Sequence, residues 1–268
     1  ATPMTMFIRS LCSSSSGNCL KLWTEETTIL IDCGIKAQHR CHDLLDEHVD
    51  DLSKLGAVLI THSQGDHIGY PALRALGDRG VCLRAHTQVF GQLKRRHGLR
   101  ALYRNRYLKP FGDSIFRIGE FRIQPVPLPH SPGIPNFGFV IWHGSGPGRQ
   151  KIVICTDFNE PKAMLPHAQD ADFIFMEANH DLELLRLYPN PNSAYHMSNP
   201  STAQLLYDAI SAGKSPQGVM LGHLSDRRND TTLARAAIMD VFRRNGRGMD
   251  FALHTAPLYE PSAVIEIV

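Results

Sequence analysis

Residues 60–70, ITHSQGDHIGY, finish an apolar run, LGAVLITH (55–62), and turn it into a loop of donor atoms. A continuous apolar run of that length reads as a buried strand, so the loop springs from a rigid support. His62, Asp66 and His67 occupy the first and the last two positions of a His-x-His-x-Asp-His spacing, which arranges donors around a pair of cations. Gln64 stands where that spacing has its middle histidine. Three readings are open: a metal site that lost a ligand, a site that accepts an amide oxygen, or a loop without metal.

Three more apolar runs end the same way. VPLPH delivers His130, VICTD delivers Asp157 and VMLGH delivers His223. A lone histidine after a strand is ordinarily a cap or turn residue. Four such ends, one of them with an Asp-His pair, argue for a shared site, because strand ends converge rigidly on one rim of a sheet. Imidazole nitrogens and carboxylate oxygens are donors that zinc and manganese accept. The arithmetic suits two ions, with His62, Gln64 and His130 facing one, Asp66, His67 and His223 facing the other, and Asp157 bridging. A hydroxide held between two cations is a nucleophile at neutral pH.

The chain's 268 residues can bury a full core, and 43% hydrophobic with 20% charged residues is ordinary for a soluble globular protein. A net charge of +2 selects no partner. No apolar run is as long as a membrane span. The start, ATPMTMFIRS, lacks the basic and long apolar regions of a signal peptide, and Ala1 to Pro3 read as processing or cloning residues. A cytoplasmic location is expected. The six cysteines, at 12, 19, 33, 41, 82 and 155, show no CxxC spacing and are expected as reduced, buried thiols rather than disulfides.

Along the chain, MFIRSLC, CLKLW and TILIDCG are strand-like and SSSSGN and TEET are turns. A helix is expected over 37–48, and two more over YPALRAL and TQVFGQLKRR with strand VCLRA between them. The middle is β-rich: SIFRIG, FRIQPVPLPH, FGFVIWH and KIVICTD, the last two joined by a glycine-rich hairpin. The second half alternates, with strands DFIFMEA, GVMLGH and MDFALH among helices at DLELLRL, 199–212 and 230–244. SAVIEIV is expected as an edge strand. One domain over 1–268 is expected, with two β-sheets face to face and helices outside.

The order THSQGDH, PLPH, CTDF, LGHLS resembles the metallo-β-lactamase fold superfamily. SLCSSSSGN, TILIDCG, MEANHD, HMSN and LGHLSDRRN are similar to its YycJ/WalJ-type branch of exonucleases, and these stretches span nearly the whole chain. The resemblance implies an α/β fold, an αββα sandwich of two mixed sheets, with the metal centre between them at one edge. Carried over residue by residue, its ligands are His62, Asp66, His67, His130, Asp157 and His223, with Gln64 the departure. An amide oxygen is a weaker donor for zinc than imidazole and a better match for manganese. The expected cofactors are Zn2+ or Mn2+, one ion held tightly and a second more weakly.

Other residues carry two readings each. His196, in YHMSNPSTAQ, is either a surface histidine in a helix-capping turn or, by resemblance, a histidine near the site that protonates a leaving oxygen or holds a phosphate. Asp32 is expected behind the metal loop, hydrogen-bonded to it. Asn179 and His180 line the cleft or merely turn the chain. SSSSGN is a flexible hairpin or a phosphate contact. The segment 94–109, KRRHGLRALYRNRYLK, has seven Lys/Arg and no acid, interleaved with Tyr103 and Tyr107. It is a solvated face, or a track for a phosphate backbone with base stacking, through Arg95, Arg96 and Arg104. RRNGRG (243–248) is a weaker cluster.

The function expected is a metal-dependent hydrolase, a phosphodiesterase or nuclease acting on nucleic-acid ends through a metal-bound hydroxide, with Asp66 and His196 in catalysis. Expected partners are single-stranded DNA or RNA and no membrane, with room for a homodimer. The rivals are a metallo-hydrolase of a small carbonyl substrate (β-lactam, lactone or thioester) and a binding protein with a decayed metal site.

Overall fold

The computed structural model describes residues 5–268, so the expectation for Ala1 to Pro3 lies outside the described residues. The first sheet opens with a meander of β1 (Met6–Ser14), β2 (Gly17–Trp23) and β3 (Thr28–Ile31) and continues in parallel through β4 (Leu55–Ile60) and β5 (Leu83–Ala85). Helices α1 (Gln38–His48), α2 (Tyr70–Asp78), α3 (Thr87–His97) and the short α4 (Leu99–Leu102) connect and follow these strands. The second sheet starts antiparallel with β6 (Phe116–Ile118), β7 (Phe121–Pro127), β8 (Phe137–His143) and β9 (Gln150–Cys155). It becomes parallel through β10 (Phe173–Glu177), β11 (Gly218–Gly222) and β12 (Ala252–Thr255), with α5 (Pro161–Ala168), α6 (Leu182–Leu187), α7 (Asn199–Ser211) and α8 (Thr231–Arg244) in the crossovers. β13 (Ile265–Ile267) returns to pair with β1 at the edge of the first sheet, as expected of SAVIEIV.

Side chains alternate across the second sheet with the two-residue period of a strand. Ile152 and Ile154 of β9, Phe173 and Phe175 of β10 and Met220 of β11 enter the core shared with the first sheet. Val153, Cys155, Ile174, Met176, Val219 and Leu221 face the other way, onto Met164, Leu206, Ile210, Ile238 and Phe242 of the outer helices. Because both faces are covered, KIVIC, FIFME and GVMLG read as unbroken apolar runs rather than alternating ones. The layers are therefore helix, sheet, sheet, helix, the expected αββα sandwich.

This topology aims the donors at one place. β7 is antiparallel to β8 and β8 to β9, so β7 ends at the same rim as the parallel strands β9, β10 and β11. The loop after β4 meets that rim from the first sheet, and Phe137 N–H donates to Thr61 O across the gap at 3.1 Å. Three residues immediately or shortly after strands take left-handed backbone: Asp32 (φ 61°), Asp157 (φ 58°) and His223 (φ 53°). Non-glycine residues seldom adopt it, and such outliers gather at functional sites. Gly34 is needed for a different reason: a Cβ there would lie 1.7 Å from Asp66 O, so only glycine lets this strand end lie against the metal-type loop.

The SSSSGN stretch is tighter than a flexible turn. Ser13 and Ser14 stay in β1, Gly17 and Asn18 are already in β2, and only Ser15 and Ser16 form the tip. All six cysteines are free, four of them buried and Cys12 and Cys82 half-buried. Among the described residues no helix is long and apolar enough to cross a membrane.

Candidate metal centre

At the shared rim two donor clusters meet at Asp157: His62, His130 and Asp157 on one side, Asp66, His67 and His223 on the other. In the second cluster His67 Nε2 lies 3.1 Å from Asp157 Oδ2 and 3.4 Å from Asp66 Oδ2. His223 Nε2 lies 3.4 Å from His67 Nε2, 3.4 Å from Asp157 Oδ1 and 3.5 Å from Asp66 Oδ2. A tetrahedral centre with bonds of about 2.0–2.1 Å spaces its donors by about 3.3–3.4 Å. The observed spacings fit such an ion.

The protons say the same. His67 Nδ1–H donates to Asp32 Oδ2 at 2.7 Å and His223 Nδ1–H donates to Glu177 Oε2 at 3.1 Å, which turns the Nε2 atom of each toward the shared point, where losing its proton would expose a lone pair. Both oxygens of Asp157 are buried without a hydrogen-bond partner. A buried carboxylate is costly unless positive charge lies against it, as protonated imidazole or as a bound cation. The residues present fit divalent metal.

Gln64 completes the other cluster. Its Oε1 lies 2.9 Å from His62 Nε2 and 3.0 Å from His130 Nε2. Thr61 Oγ1 gives its proton to Asp32 Oδ2 at 2.8 Å and so accepts from His62 Nδ1–H at 3.0 Å. His130 Nδ1–H donates to Tyr195 O at 3.2 Å. Both Nε2 atoms are thus lone pairs, and with Oε1 they make three acceptors facing one point. The amide sits where a first-site ligand would sit.

Electrostatics separate the two clusters. Burial acts to lower His223, but Asp157, Asp66 and Glu177 outweigh it and push it up to about 10. His67 behaves alike: burial opposes, yet Asp157, Asp66 and Asp32 hold it well above the ordinary imidazole range. Burial, with His67 beside it, drives His62 down to about 3, and burial also lowers His130. The first cluster therefore offers neutral imidazoles, whereas the second carries protons that a dication would displace.

Behind the donors stand residues that orient them. Asp32, 3% exposed, accepts Thr61 N–H at 2.8 Å as well as the bonds above. Glu177 is fully buried and accepts from Asp157 N at 3.0 Å, Met197 N at 2.7 Å, His196 Nδ1 at 2.9 Å and His223 Nδ1. Four donors already engage its two oxygens, so in this arrangement it orients two imidazoles. Sequence reasoning passed over Glu177, although it ends the run FIFME as Asp157 follows VICT. His196, held by Glu177, lies between His223 (centroids 5.4 Å apart) and His130 (5.2 Å), and its side chain is 16% exposed. Asn18 and Ser13 are also supports: Asn18 N–H donates to Asp66 O at 2.8 Å, and Ser13 Oγ accepts from His223 N–H at 2.8 Å.

Two expectations need correction. Asn179 does not line the cleft for substrate; it is 5% exposed, and its Nδ2 donates to His223 O at 3.0 Å, fixing that loop from beneath. Tyr103 is 3% exposed and packs in the core, so it has no face to offer a base. The seven cations of 94–109 are exposed, as expected of either reading. Arg96 Nη1 donates to Ser63 O inside the donor loop, and Ser63 Oγ donates to Gln92 Oε1 of the same helix. Arg95 is exposed one residue before. Arg104 instead lines a cleft of about 740 Å³ with Arg79 and Arg100 at the far end of α2, about 13 Å along that helix from the loop.

Residues 27–221 match the family model described as a β-lactamase superfamily domain. The chain is 24% identical over 280 residues to a Bacillus anthracis protein named exodeoxyribonuclease YycJ, covering 97% of this chain and 99% of that one. It is 26% identical over 273 residues to Streptococcus pneumoniae exodeoxyribonuclease WalJ, covering 92% and 93%. Among solved structures, the metallo-β-lactamase fold protein YhfI of Bacillus subtilis superposes with a TM-score of 0.73 at 18% identity, over 98% of this chain and 99% of that one. With six strong donors and one amide converging where two sheets meet, the chain belongs to the β-lactamase superfamily, as a metal-dependent hydrolase of the branch that holds YycJ and WalJ.

Proposed function

We propose that this hydrolase cleaves phosphodiesters and removes nucleotides from an end of single-stranded DNA or RNA. The observation that carries the proposal is the joint between Arg96 and Ser63, which fastens the basic segment to the donor loop. A polyanion lying along the exposed cations of 94–109 would be led to the donors. A neutral lactam, lactone or thioester has no use for them. Two relatives that cover nearly the whole chain are named exodeoxyribonucleases, which supports the same reading.

In this mechanism His62, Gln64 and His130 would hold one divalent cation and Asp66, His67 and His223 another, with Asp157 available to either. Zinc or manganese suits the imidazole and carboxylate donors, and the amide of Gln64 tilts the first position toward the harder ion. When bound, such ions supply an activated water and neutralise charge on the phosphate. The chain's own part is then positioning and proton transfer. Asp32 and Glu177 fix the rings of His67 and His223. Glu177 also holds Nδ1–H of His196, leaving Nε2 as the nitrogen free to give a proton to the leaving oxygen as the P–O bond breaks.

The deciding assay incubates the purified protein with Mn2+ or Zn2+ and end-labelled single-stranded DNA, alongside a chromogenic β-lactam and an activated phosphodiester. Mononucleotide release is expected, and hydrolysis of the lactam alone would overturn the proposal. His196→Ala should lower turnover by about 10²–10⁴-fold on substrates with poor leaving groups and much less on those with good ones. Burial acts to lower the His196 pKa, but Glu177 raises it further, so the net direction is up. The acid form then persists to higher pH, and activity falls as pH rises through that pKa. Glu177→Gln should move this alkaline limb to lower pH; an unmoved limb would assign the ionisation elsewhere.

A further inference from the structure

Beside the donor clusters lies a separate cavity of about 610 Å³, and His196 stands on its border. Its walls are Leu182 and Leu185 of α6 together with Pro189 and Pro191, while His180 and Met197 close it from behind. No Asp, Glu, Lys or Arg lines it. The arginine-lined cleft at the far end of α2 has the opposite chemistry. Its interior offers a phosphate no Lys or Arg, and its leucine and proline walls suit a neutral body with apolar faces.

The polar atoms left over describe its edges. Asn159 spends Nδ2 on Ala194 O at 2.9 Å, which leaves Oδ1 as an acceptor. Asn190 spends Oδ1 on Asn192 N–H at 3.2 Å, which leaves Nδ2 as a donor. His180 Nδ1 faces Asn179 Oδ1 at 3.4 Å, which leaves Nε2. A flat apolar body with donors and acceptors on its rim matches this set, and a nucleobase is such a body.

The cavity is also held in register with the donors. Segment 191–195, which roofs it, accepts His130 Nδ1–H at Tyr195 O and the Asn159 amide at Ala194 O. One of those bonds comes from a donor histidine and the other from two residues beyond Asp157. An occupant therefore sits at a fixed distance from the point where the phosphate is held.

We propose that this cavity binds the base of the terminal nucleotide, the one whose phosphate is cleaved. The proposal rests on the phosphodiesterase reading above and specifies its substrate pocket. Its volume of about 610 Å³ is within the range of about 300–1,000 Å³ that takes one small ligand.

Calorimetry on the full chain loaded with Mn2+ tests this, using dAMP, 2-deoxyribose 5-phosphate and inorganic phosphate as probes. Apolar contact with the leucine and proline walls, together with the edge contacts, should make dAMP bind about tenfold or more tightly than the sugar phosphate. Ala194→Trp fills the cavity from its exposed rim without changing charge, and Leu182→Ser removes an apolar wall that is 43% exposed. In both variants that ratio should collapse toward one, with metal content as the check on folding. Equal affinities in the parent, or an unchanged ratio in both variants, would overturn the pocket while leaving the phosphodiesterase reading intact. Failure of all three probes to bind would overturn both.

Discussion

Gln64 concentrates the chemistry of the site in one amide. With Oε1 toward His62 and His130 it supplies a weak third donor; turned by 180° about its last bond, it would give its two N–H groups to the same two lone pairs. The residue can therefore serve a filled first position or satisfy an empty one, which imidazole in its place would do less well. Strong ligands surround the second position, so the protein should carry closer to one metal than two as purified and fill the other only in excess metal. Gln64→His should raise the stoichiometry toward two and raise phosphodiester hydrolysis with it, as measured by elemental analysis and turnover on one preparation. Two equally tight sites in the parent titration would sink the idea.

At the scale of elements, strand ends place the donors. The ends of β4, β9 and β11, and the loop after β7, were legible because each apolar run stops on a donor, and buried parallel strands leave no other place for one. Glu177 carried the same signature but no neighbouring motif, and its role appears only when β10 is seen between β9 and β11. Tyr103 and Asn179 stayed open in sequence for a simple reason: composition tells what a segment contains and not which face is buried. The basic segment stayed ambiguous in sequence because a solvated helix and a phosphate track have the same residues. Its contact with Ser63 is what supports the proposed track. Reversing Arg95, Arg96 and Arg104 to Glu should weaken single-stranded DNA binding, and the parent's affinity should fall steeply with salt through counterion release. Equal anisotropy titrations for variant and parent at low salt would leave 94–109 a solvated face.

The whole molecule is two sheets whose contact includes a ring of unpaired donors. His62, Gln64, Asp66 and His67 come from the first sheet and His130, Asp157 and His223 from the second, so an ion at this rim ties the layers together. Without it, Asp157 is held below the ordinary carboxylate range, against burial, by His223, His67 and His62. Metal at about 100 times its dissociation constant should add about 2.7 kcal/mol of stability, or about 5–10 °C in Tm for a chain of this size. His223, raised from about 6.5 to about 10, lends the metal-free fold a stabilisation that is complete below about 6.5 and lost as pH rises through about 10. Metal must displace that proton, so the thermal gain from a fixed metal concentration should grow from pH 6 to pH 8. Asp157→Asn takes away the anion that the charged rings of His67 and His223 face, so it should lower the metal-free Tm, and it should also remove most of the gain on adding Mn2+ or Zn2+. If the variant gains as much as the parent, the ion's hold on the second sheet does not run through Asp157.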